Sequence, residues 1–363
     1  MKNICFLDPD LSIKGGAERV VFNLTQELAK KYNVHLISIW NKNGKLSYER
    51  PDNVQHIFLN TGVGRRREVY LKSFFKLVKY IRKENIEVIF FINTYAVSFV
   101  RLLKLFVKAK LVFCDHGAIR NEIDSPFNMR YRKLAAEKCD KVVTLTDRNL
   151  EDYKTIFGAS QSKVVCIPNW ISEEVLKTAS SNYNINSKKI ITVGRFGKEK
   201  GYDMLVDIAN TVLKKYPSWQ WDLYGDGETF TEIKTKITEY NLQNKLILKG
   251  QVNDIYNRYK DYAIYVLSSY REGLPLVLLE AKANYLPVVS FDCITGPREI
   301  ITNGVEGFLI ACYDKEKMAD RISELIENEE LRMRMSNNSR CNLDKFDKRR
   351  ILSKWERIID NNI

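Results

Sequence analysis

The sequence predicts an α/β protein built of two doubly wound parallel sheets, and three observations carry that expectation. Short apolar runs alternate with amphipathic helical patterns along nearly the whole chain. Such alternation calls for parallel strands with helices packed on both faces. The alternation pauses once, in the polar stretch 168–187 that contains Ser180-Ser181-Asn182, and then resumes. The chain is 363 residues long, and a single hydrophobic core rarely grows beyond about 250–300 residues. The expected division is a first domain at 1–168, a linker at 169–187, a second domain at 188–344, and a final segment at 345–363.

Each element follows from its pattern. A short apolar strand opens the chain at 3–7. The loop 8–16 leads into a helix that begins near Ala17 and carries Val20, Val21, Leu24 and Leu28 at helical spacing. Further strand patterns lie at 34–40, 54–59, 88–92, 111–114, 142–145 and 164–167, with helical patterns at 69–83, 94–107, 127–138 and 147–157. After the pause, strand patterns lie at 190–193, 219–224, 246–248, 263–267 and 288–290. A last helix, around 345–360, carries Phe346, Ile351, Leu352, Trp355, Ile358 and Ile359. In doubly wound sheets, ligands bind outside the carboxyl ends of the strands.

Bulk properties narrow the class. Hydrophobic residues make up 45% of the chain and charged residues 28%, which suits a soluble globular protein. No stretch approaches the ~20 apolar residues of a membrane-spanning helix, and the first apolar run stops at Asp8, against a signal peptide. The seven cysteines are scattered and form no C-x-x-C pair, so they read as small hydrophobes in a reducing compartment. The net charge of +13 is uneven: 30 of the 58 basic residues but only 19 of the 45 acidic ones precede residue 181. Such a basic half suits nucleic acid, anionic lipid or an anionic substrate, and charge alone does not choose.

The most informative stretch is 268–284, Ser-Ser-Tyr-Arg-Glu-Gly-Leu-Pro-Leu-Val-Leu-Leu-Glu-Ala-Lys-Ala-Asn. A buried-looking strand ends at two serines, and Pro275 is expected at the first helical position, where its missing N–H costs nothing. Val277, Leu278, Ala281 and Tyr285 would share one face. Glu272 then stands at the mouth of a helix and Glu280 inside it. The free N–H groups of Gly273, Leu274 and Leu276, with the helix dipole, would attract an anion between them. A phosphate flanked by two acceptors of sugar hydroxyls matches a nucleotide sugar.

These residues resemble the signature of the family-4 retaining glycosyltransferases, the bacterial polysaccharide-type glycosyl transferase group 1. That signature is a serine-rich strand end, E-G-(F/L)-(G/P)-L-x-x-x-E-A, then G-x-P-V-V. Here it reads E272-G-L-P-L-V-L-L-E280-A followed by Leu286-Pro287-Val288-Val289, with the usual glycine replaced within Asn284-Tyr285-Leu286. The resemblance implies a GT-B fold: two Rossmann-like domains with a cleft between them, the last helix crossing back onto the first. It spans nearly all of the second half, including 297–301 and 304–309, and is thin between 41 and 111.

Residue by residue, the resemblance implies the following roles. Glu272 would bind the donor sugar and steady an oxocarbenium-like transition state, and Glu280 would bind the ribose hydroxyls. Gly194-Arg195-Phe196-Gly197-Lys198-Glu199-Lys200-Gly201 is similar to the family's diphosphate motif, which gives that role to Arg195 and Lys200. The paired glycines Gly15 and Gly16, in Gly15-Gly16-Ala17-Glu18, would face the donor phosphates and the acceptor. His116, in Asp115-His116-Gly117, would touch the donor sugar. The turns at Gly225 and at Gly250-Gln251-Val252 would line the nucleobase pocket, most often a uracil pocket. Asp8-Pro9-Asp10 mimics a D-x-D metal motif but reads as turn chemistry. The family generally uses no catalytic metal, and no cofactor is expected beyond the co-substrate.

Residues 60–83 carry eight basic side chains against the single acidic Glu68, among them Arg65-Arg66-Arg67. Leu71, Phe74, Phe75, Val78 and Ile81 would form the apolar face of a basic amphipathic helix, suited to an anionic membrane surface. The combined expectation is a retaining, metal-independent hexosyltransferase at the cytoplasmic face of the cell membrane. It would move a hexose or N-acetylhexosamine from a UDP-sugar to a lipid-linked polysaccharide precursor. A nucleotide-sugar 2-epimerase of the same architecture is one alternative. A basic nucleic-acid-binding protein is another, which would leave both motifs unexplained, so nucleic acid is not an expected partner.

Overall fold

The computed structural model describes residues 1–13, 15–40, 45–60, 66–179 and 182–361. It divides into two compact units, Met1–Asn169 with the chain from Arg349 onward, and Trp170–Lys348. Each is a doubly wound parallel α/β unit, the class read from the sequence.

The first sheet is formed by β1 (Asn3–Asp8), β2 (Asn33–Ser38), β3 (Val54–Phe58), β4 (Val88–Phe91), β5 (Lys110–Asp115), β6 (Lys141–Thr144) and β7 (Val164–Cys166), in the order β3-β2-β1-β4-β5-β6-β7. All its pairings are parallel. The order reverses between β1 and β4, so that unit's switch point lies at their carboxyl ends. Strands such as Val88–Phe91 are wholly buried, as sheets covered on both faces require.

The helix Lys348–Ile359 closes this core from the far end of the chain. Ile351, Trp355, Ile358 and Ile359 are buried, and the Trp355 ring lies 5.6 Å from Phe90 of β4. Lys2 Nζ donates to the carbonyl of Ile359 and Lys110 Nζ to that of Ile358, at 2.9 and 2.7 Å. Cations are favoured there, because the last carbonyls of a helix lack intrahelical donors.

The second sheet consists of β8 (Lys189–Val193), β9 (Gln220–Tyr224), β10 (Leu246–Gly250), β11 (Ile264–Leu267), β12 (Val288–Phe291) and β13 (Gly307–Ile310), in the order β10-β9-β8-β11-β12-β13. Its switch point falls between β8 and β11, the strands that lead into the two motif loops.

Several local expectations are corrected. The pattern at 94–107 is a 3-10 turn, Ala96–Phe99, followed by the helix Val100–Phe106. A short helix, Glu173–Thr178, occupies the stretch read as linker. The edge strand β13 was not expected, because Gly-Phe-Leu-Ile is too short to show a period. The helix Arg66–Lys83 divides its apolar residues. Phe74, Leu77, Val78 and Ile81, at helical spacing, face the core, whereas Leu71 and Phe75, one turn apart on the neighbouring stripe, are exposed. Arg65 lies outside the described residues.

The helix Leu276–Ala283 is buried on nearly every side, so no single face carries it. Lys282, fully buried, donates to Glu306 Oε1 at 2.6 Å and to the carbonyls of Ile300 and Cys341 at 2.5 and 3.2 Å. Glu306, also fully buried, accepts from Thr302 N, and its second oxygen has no partner among the described residues. Removing one partner strands the other as a buried charge, at a cost of about 3–5 kcal/mol, whereas replacing both by apolar groups is often neutral. Lys282→Met should therefore lower the melting temperature markedly, and Lys282→Met with Glu306→Leu should recover most of the loss in a thermal scan.

Candidate active site

In the second unit the loops after β8 and β11 meet. Lys200 ends a 3-10 turn, Lys198–Lys200, and Gly201 follows in the left-handed conformation at φ +63°. A Cβ at Gly201 would lie 2.3 Å from the carbonyl oxygen of Ser268, so only glycine lets the loop approach the end of β11. Ser268 Oγ donates to the carbonyl of Lys200 at 2.8 Å. The first serine of the Ser-Ser pair is therefore a clamp on the lysine's own backbone. Phe196 and Tyr202 stack at 3.9 Å, and Tyr202 OH donates to Gly194 O, holding the rest of the loop.

This clamp brings two separately predicted residues into direct contact: Lys200 Nζ donates to Glu272 Oε1 at 2.7 Å. Glu272 is buried. Its carbonyl accepts from Thr295 Oγ1 at 2.6 Å. Gly296, at φ +99°, lies beneath Gly273 and Pro275, where a Cβ would fall 2.7 Å from Pro275 Cδ. Pro275 is the N-cap, not the first helical residue, with ψ near 100° before the helix Leu276–Ala283 begins. The loop Gly273-Leu274-Pro275 thus arrives extended, and Leu276 opens the helix. Glu280 is buried and accepts from Tyr259 OH at 2.9 Å. Arg195 is exposed and pairs with Glu199 at 2.8 Å, so in this structure it is turned along its own loop. Burial pushes the Glu199 carboxyl up, but its own backbone N–H, Arg195 and Lys200 together hold it below the usual carboxylate range.

The loops after β9 and β10 adjoin this site. Gly225 N donates to Gly250 O at 2.9 Å, and Phe196 N to Asp226 O at 3.0 Å. A Cβ at Gly225 would fall 1.9 Å from the Gly194 carbonyl oxygen. Gly225 therefore has a packing reason to be glycine, independent of any ligand. Val252 is half-buried just past Gly250.

In the first unit, Gly15 and Gly16 start the helix Gly16–Leu28 after β1, and Lys14 before them lies outside the described residues. Tyr48 OH donates to Gly15 O at 3.0 Å. A Cβ at Gly16 would meet nothing within 4 Å among the described residues, which leaves space above that backbone. Asp8-Pro9-Asp10 does build a turn: Asp10 N donates to Asp8 Oδ1, and Ser12 donates to Asp10 Oδ1. Burial pushes the Asp8 carboxyl up to about 7, and the charges of Glu18 and Asp10 add to it. Among the described residues, no three His, Cys, Asp or Glu side chains are placed to hold a metal ion.

His116 follows β5 and is half-buried, beside a network that sequence reasoning missed. Arg132 forks onto both oxygens of Asp115 at 2.8 and 3.1 Å, with both side chains buried, and Tyr153 OH donates to Asp115 at 2.9 Å. Gly117 N donates to the same carboxylate. Burial pushes Asp115 up, but Arg132, Tyr153 and Gly117 overcome it and hold the carboxyl below its usual range. Desolvation pushes the His116 imidazole down to about 4, against the opposing charge of Asp115. A neutral imidazole at pH 7 suits hydrogen bonding to a hydroxyl better than proton donation. Arg132 and Tyr259 lie 17 and 21 residues from their partners, too far for any sequence spacing to mark them. Ser268 was visible in the signature, but not its role.

Two doubly wound parallel sheets in one chain, the second carrying E-x7-E and G-R-x4-K loops that meet at its switch point, are the make-up of the GT-B glycosyltransferases. The family model Glycosyl transferases group 1 matches residues 177–341, and that of Glycosyltransferase Family 4 matches residues 14–175. The chain belongs to the group 1 glycosyltransferases. It is 28% identical to the amylovoran biosynthesis glycosyltransferase AmsD of Erwinia amylovora, over 99% of this chain and all of that one. It is also 28% identical, over 93% of this chain and 94% of the other, to the N-acetylgalactosamine-N,N'-diacetylbacillosaminyl-diphospho-undecaprenol 4-alpha-N-acetylgalactosaminyltransferase of Campylobacter jejuni. Among solved structures, Anabaena HepE in complex with UDP superposes with a TM-score of 0.81 at 19% identity, covering 99% of this chain and all of that one.

Desolvation of the His116 imidazole makes stability depend on pH. An imidazole that titrates near 6.5 when unfolded but near 4 when folded binds its proton more readily in the unfolded chain. Its contribution is neutral above about pH 6.5 and becomes destabilising as the pH falls from there toward 4. His116→Gln should therefore lose less melting temperature than the unaltered protein between pH 6.5 and pH 4. Parallel curves for the two would show that His116 is not desolvated.

Proposed function

We propose that the protein is a retaining, metal-independent glycosyltransferase that moves a hexose or N-acetylhexosamine from a UDP-sugar to a lipid-linked polysaccharide precursor. The observation that carries this reading is the contact of Lys200 with Glu272 at the switch point of the second sheet, beside Glu280 held by Tyr259. A cation for the diphosphate and an acceptor for sugar hydroxyls share one corner, with a second acceptor for the ribose inside the following helix. Two relatives named for amylovoran biosynthesis and for transfer to a diphospho-undecaprenol saccharide support the acceptor class. The fold shared with proteins solved with UDP supports the donor.

In this reading the donor diphosphate displaces Glu272 from Lys200. Arg195 swings from Glu199 to the phosphates, and the N–H groups of Gly273, Leu274 and Leu276 at the helix start share the charge. Pro275 sets the approach of that loop. Glu272, released, accepts hydrogen bonds from the sugar and stabilises positive charge at the anomeric carbon as the C–O bond lengthens. In the first unit, a neutral His116 suits a sugar hydroxyl, and the backbone at Gly15 and Gly16 suits a phosphate or an acceptor group. Gly225 and Val252 border the base. The departing phosphate oxygen takes the proton of the attacking hydroxyl, on the face from which it leaves.

Calorimetry separates these roles. Lys200→Ala and Glu280→Ala should each weaken UDP binding by about tenfold or more, as loss of charge-assisted bonds worth ~1.5–3 kcal/mol implies. Glu272→Ala should abolish transfer while UDP affinity stays level or tightens, because Lys200 is then free for phosphate. Weaker UDP binding by Glu272→Ala would contradict the exchange. Proton NMR of the first-formed product should show the donor's anomeric configuration, and turnover should persist in excess EDTA. Release of a free, isomerised sugar without acceptor would instead indicate an epimerase.

The membrane-facing part of the proposal rests on the first unit. Leu71 and Phe75 (63% exposed) stand beside exposed Lys72, Lys76 and Lys79, and the exposed Leu105 and Phe106 reach the same region through the Phe74–Phe106 ring contact at 5.5 Å. Each Lys or Arg near an anionic surface contributes about 1 kcal/mol. Phe75→Ser should lower co-sedimentation with phosphatidylglycerol liposomes without changing the melting temperature, whereas Phe74→Ser, in the core, should lower the melting temperature. Unchanged sedimentation of a stable Phe75→Ser variant with Lys72 and Lys76 also changed to Ser would retire the idea.

A further inference from the structure

The first unit has a switch point of its own, between β1 and β4, and its β4 side carries residues that the proposed chemistry does not use. Past the carboxyl ends of these strands the ladder continues. Ile39 N donates to Asp8 O at 3.0 Å, Trp40 N to Pro9 O at 2.8 Å and Ile92 N to Leu7 O at 3.1 Å. In the order β2-β1-β4, the end of β1 is thus flanked by Trp40 on one side and by Asn93-Thr94-Tyr95 on the other. The Trp40 and Tyr95 rings meet, with centroids 4.8 Å apart. The crevice outside such strand ends is where doubly wound sheets hold ligands.

Two further rings extend this pair. Phe127 and Tyr131 stand one turn apart on the helix Pro126–Lys138, with centroids 4.7 Å apart, and Phe127 lies 6.3 Å from Tyr95. Trp40, Tyr95 and Tyr131 are half-buried and pack on the rim of the core. Phe127 is 49% exposed, and its ring meets the two rim tyrosines without joining the core. Core packing therefore accounts for three of the rings but not for the fourth.

Beside the rings runs an ordered polar edge. Tyr95 N donates to Asn93 Oδ1 at 3.1 Å, and Thr94 Oγ1 donates to Asn128 Oδ1 at 3.0 Å while lying 3.3 Å from Asn93 Oδ1. Both amide oxygens are thereby engaged. The two side-chain NH2 groups are left as donors, with no acceptor among the described residues, and the Thr94 oxygen keeps lone-pair capacity.

We propose that this cluster is a saccharide-binding subsite, in which Tyr95 and Phe127 take the apolar face of a pyranose ring and Asn93, Thr94 and Asn128 take its hydroxyls. A hexopyranose presents C–H groups whose slightly positive hydrogens meet the negative face of an aromatic ring. The hydroxyls around its rim need both donors and acceptors, which the two amides and the threonine supply. An aromatic lining with a few placed polar groups is the usual make-up of a small-molecule site. A polyprenyl chain suits it less, because it would cover the two amides and the hydroxyl without giving them partners. In the proposed transfer the pyranose belongs to the acceptor. That assignment rests on the transferase reading, whereas the affinity for a pyranose does not.

Saturation-transfer difference NMR on the full-length protein tests this, with the methyl glycosides of glucose, galactose, N-acetylglucosamine and N-acetylgalactosamine as probes. At least one is expected to bind, with saturation strongest on the C–H protons of one ring face. Phe127→Ala and Asn93→Ala should each weaken that binding roughly two- to tenfold, the worth of one aromatic contact or one hydrogen bond. Both residues are exposed, so the melting temperature should hold, and UDP affinity should stay level. Undiminished glycoside binding by the double variant would overturn the proposal, as would a protein that binds UDP but none of the four glycosides. Farnesyl phosphate bound in their place, and lost in Phe127→Ala, would overturn it in favour of a lipid groove. Glycosides held through these residues by a protein that does not bind UDP would uphold the subsite and count against the donor reading.

Discussion

The candidate site depends on a contact that involves no functional group at all: the backbone of Gly201 against the carbonyl of Ser268. Any side chain at Gly201 would hold the β8 loop away from the end of β11. Because none is there, the Ser268 hydroxyl can reach the Lys200 carbonyl, and the lysine's ammonium arrives at Glu272. Similar close approaches recur around it, Gly225 on Gly194 and Gly296 on Gly273. Backbone packed on backbone is stiff, and stiffness at strand ends is what positions a charge to within hydrogen-bonding distance of its partner. The glycines of these motifs thus serve the geometry before they serve any ligand.

The carboxylates around these strand ends are held in two ways. Asp115, Glu272 and Glu280 each receive a donor from a different element: Arg132, Lys200 and Tyr259 respectively. A buried carboxylate with such a partner stays in place and keeps its orientation. Asp8 is the contrast. Its neighbours include Asp10 and Glu18, it is pushed up to about 7, and one of its oxygens has no partner among the described residues. Burial next to like charge brings the protonation of this carboxyl close to neutral pH.

Much of the fold was legible because parallel strands buried on both faces read as plain apolar runs, and the helices between them keep their period. Glu272, Glu280, Arg195 and Lys200 were legible as candidates because their motifs crowd several constraints into a few residues. What stayed hidden was long-range or too short. Arg132 on Asp115 and Tyr259 on Glu280 are pairings between elements that no spacing encodes, and β13 has too few residues to show alternation. The membrane-helix pattern was partly misread, since a stripe of apolar residues does not say which of them the sheet claims. The glycine missing from the signature has a local answer. Tyr285 occupies the left-handed conformation at φ +62°, a shape glycine adopts freely, and its ring lies under the Arg340 guanidinium at 4.4 Å, while Arg340 also donates to Ala283 O. The neighbouring arginine supports a conformation that the sequence alone would have assigned to a glycine.

The return of the helix Lys348–Ile359 to the first sheet sets an order on synthesis. Chains emerge from the ribosome from the first residue onward, and domains generally fold as they appear. Here the first unit is separated from its last helix by the whole of Trp170–Lys348. At about 5–20 residues per second, that interval lasts on the order of 10–35 s. Throughout it, the face of β4 around Phe90 lacks the indole of Trp355, and Lys2 and Lys110 lack the carbonyls they will bind. The second unit, continuous in sequence, has all its own strands before the first can finish. The nascent protein therefore carries an open apolar seam until the helix Lys348–Ile359 has emerged, and closing that seam completes the first unit.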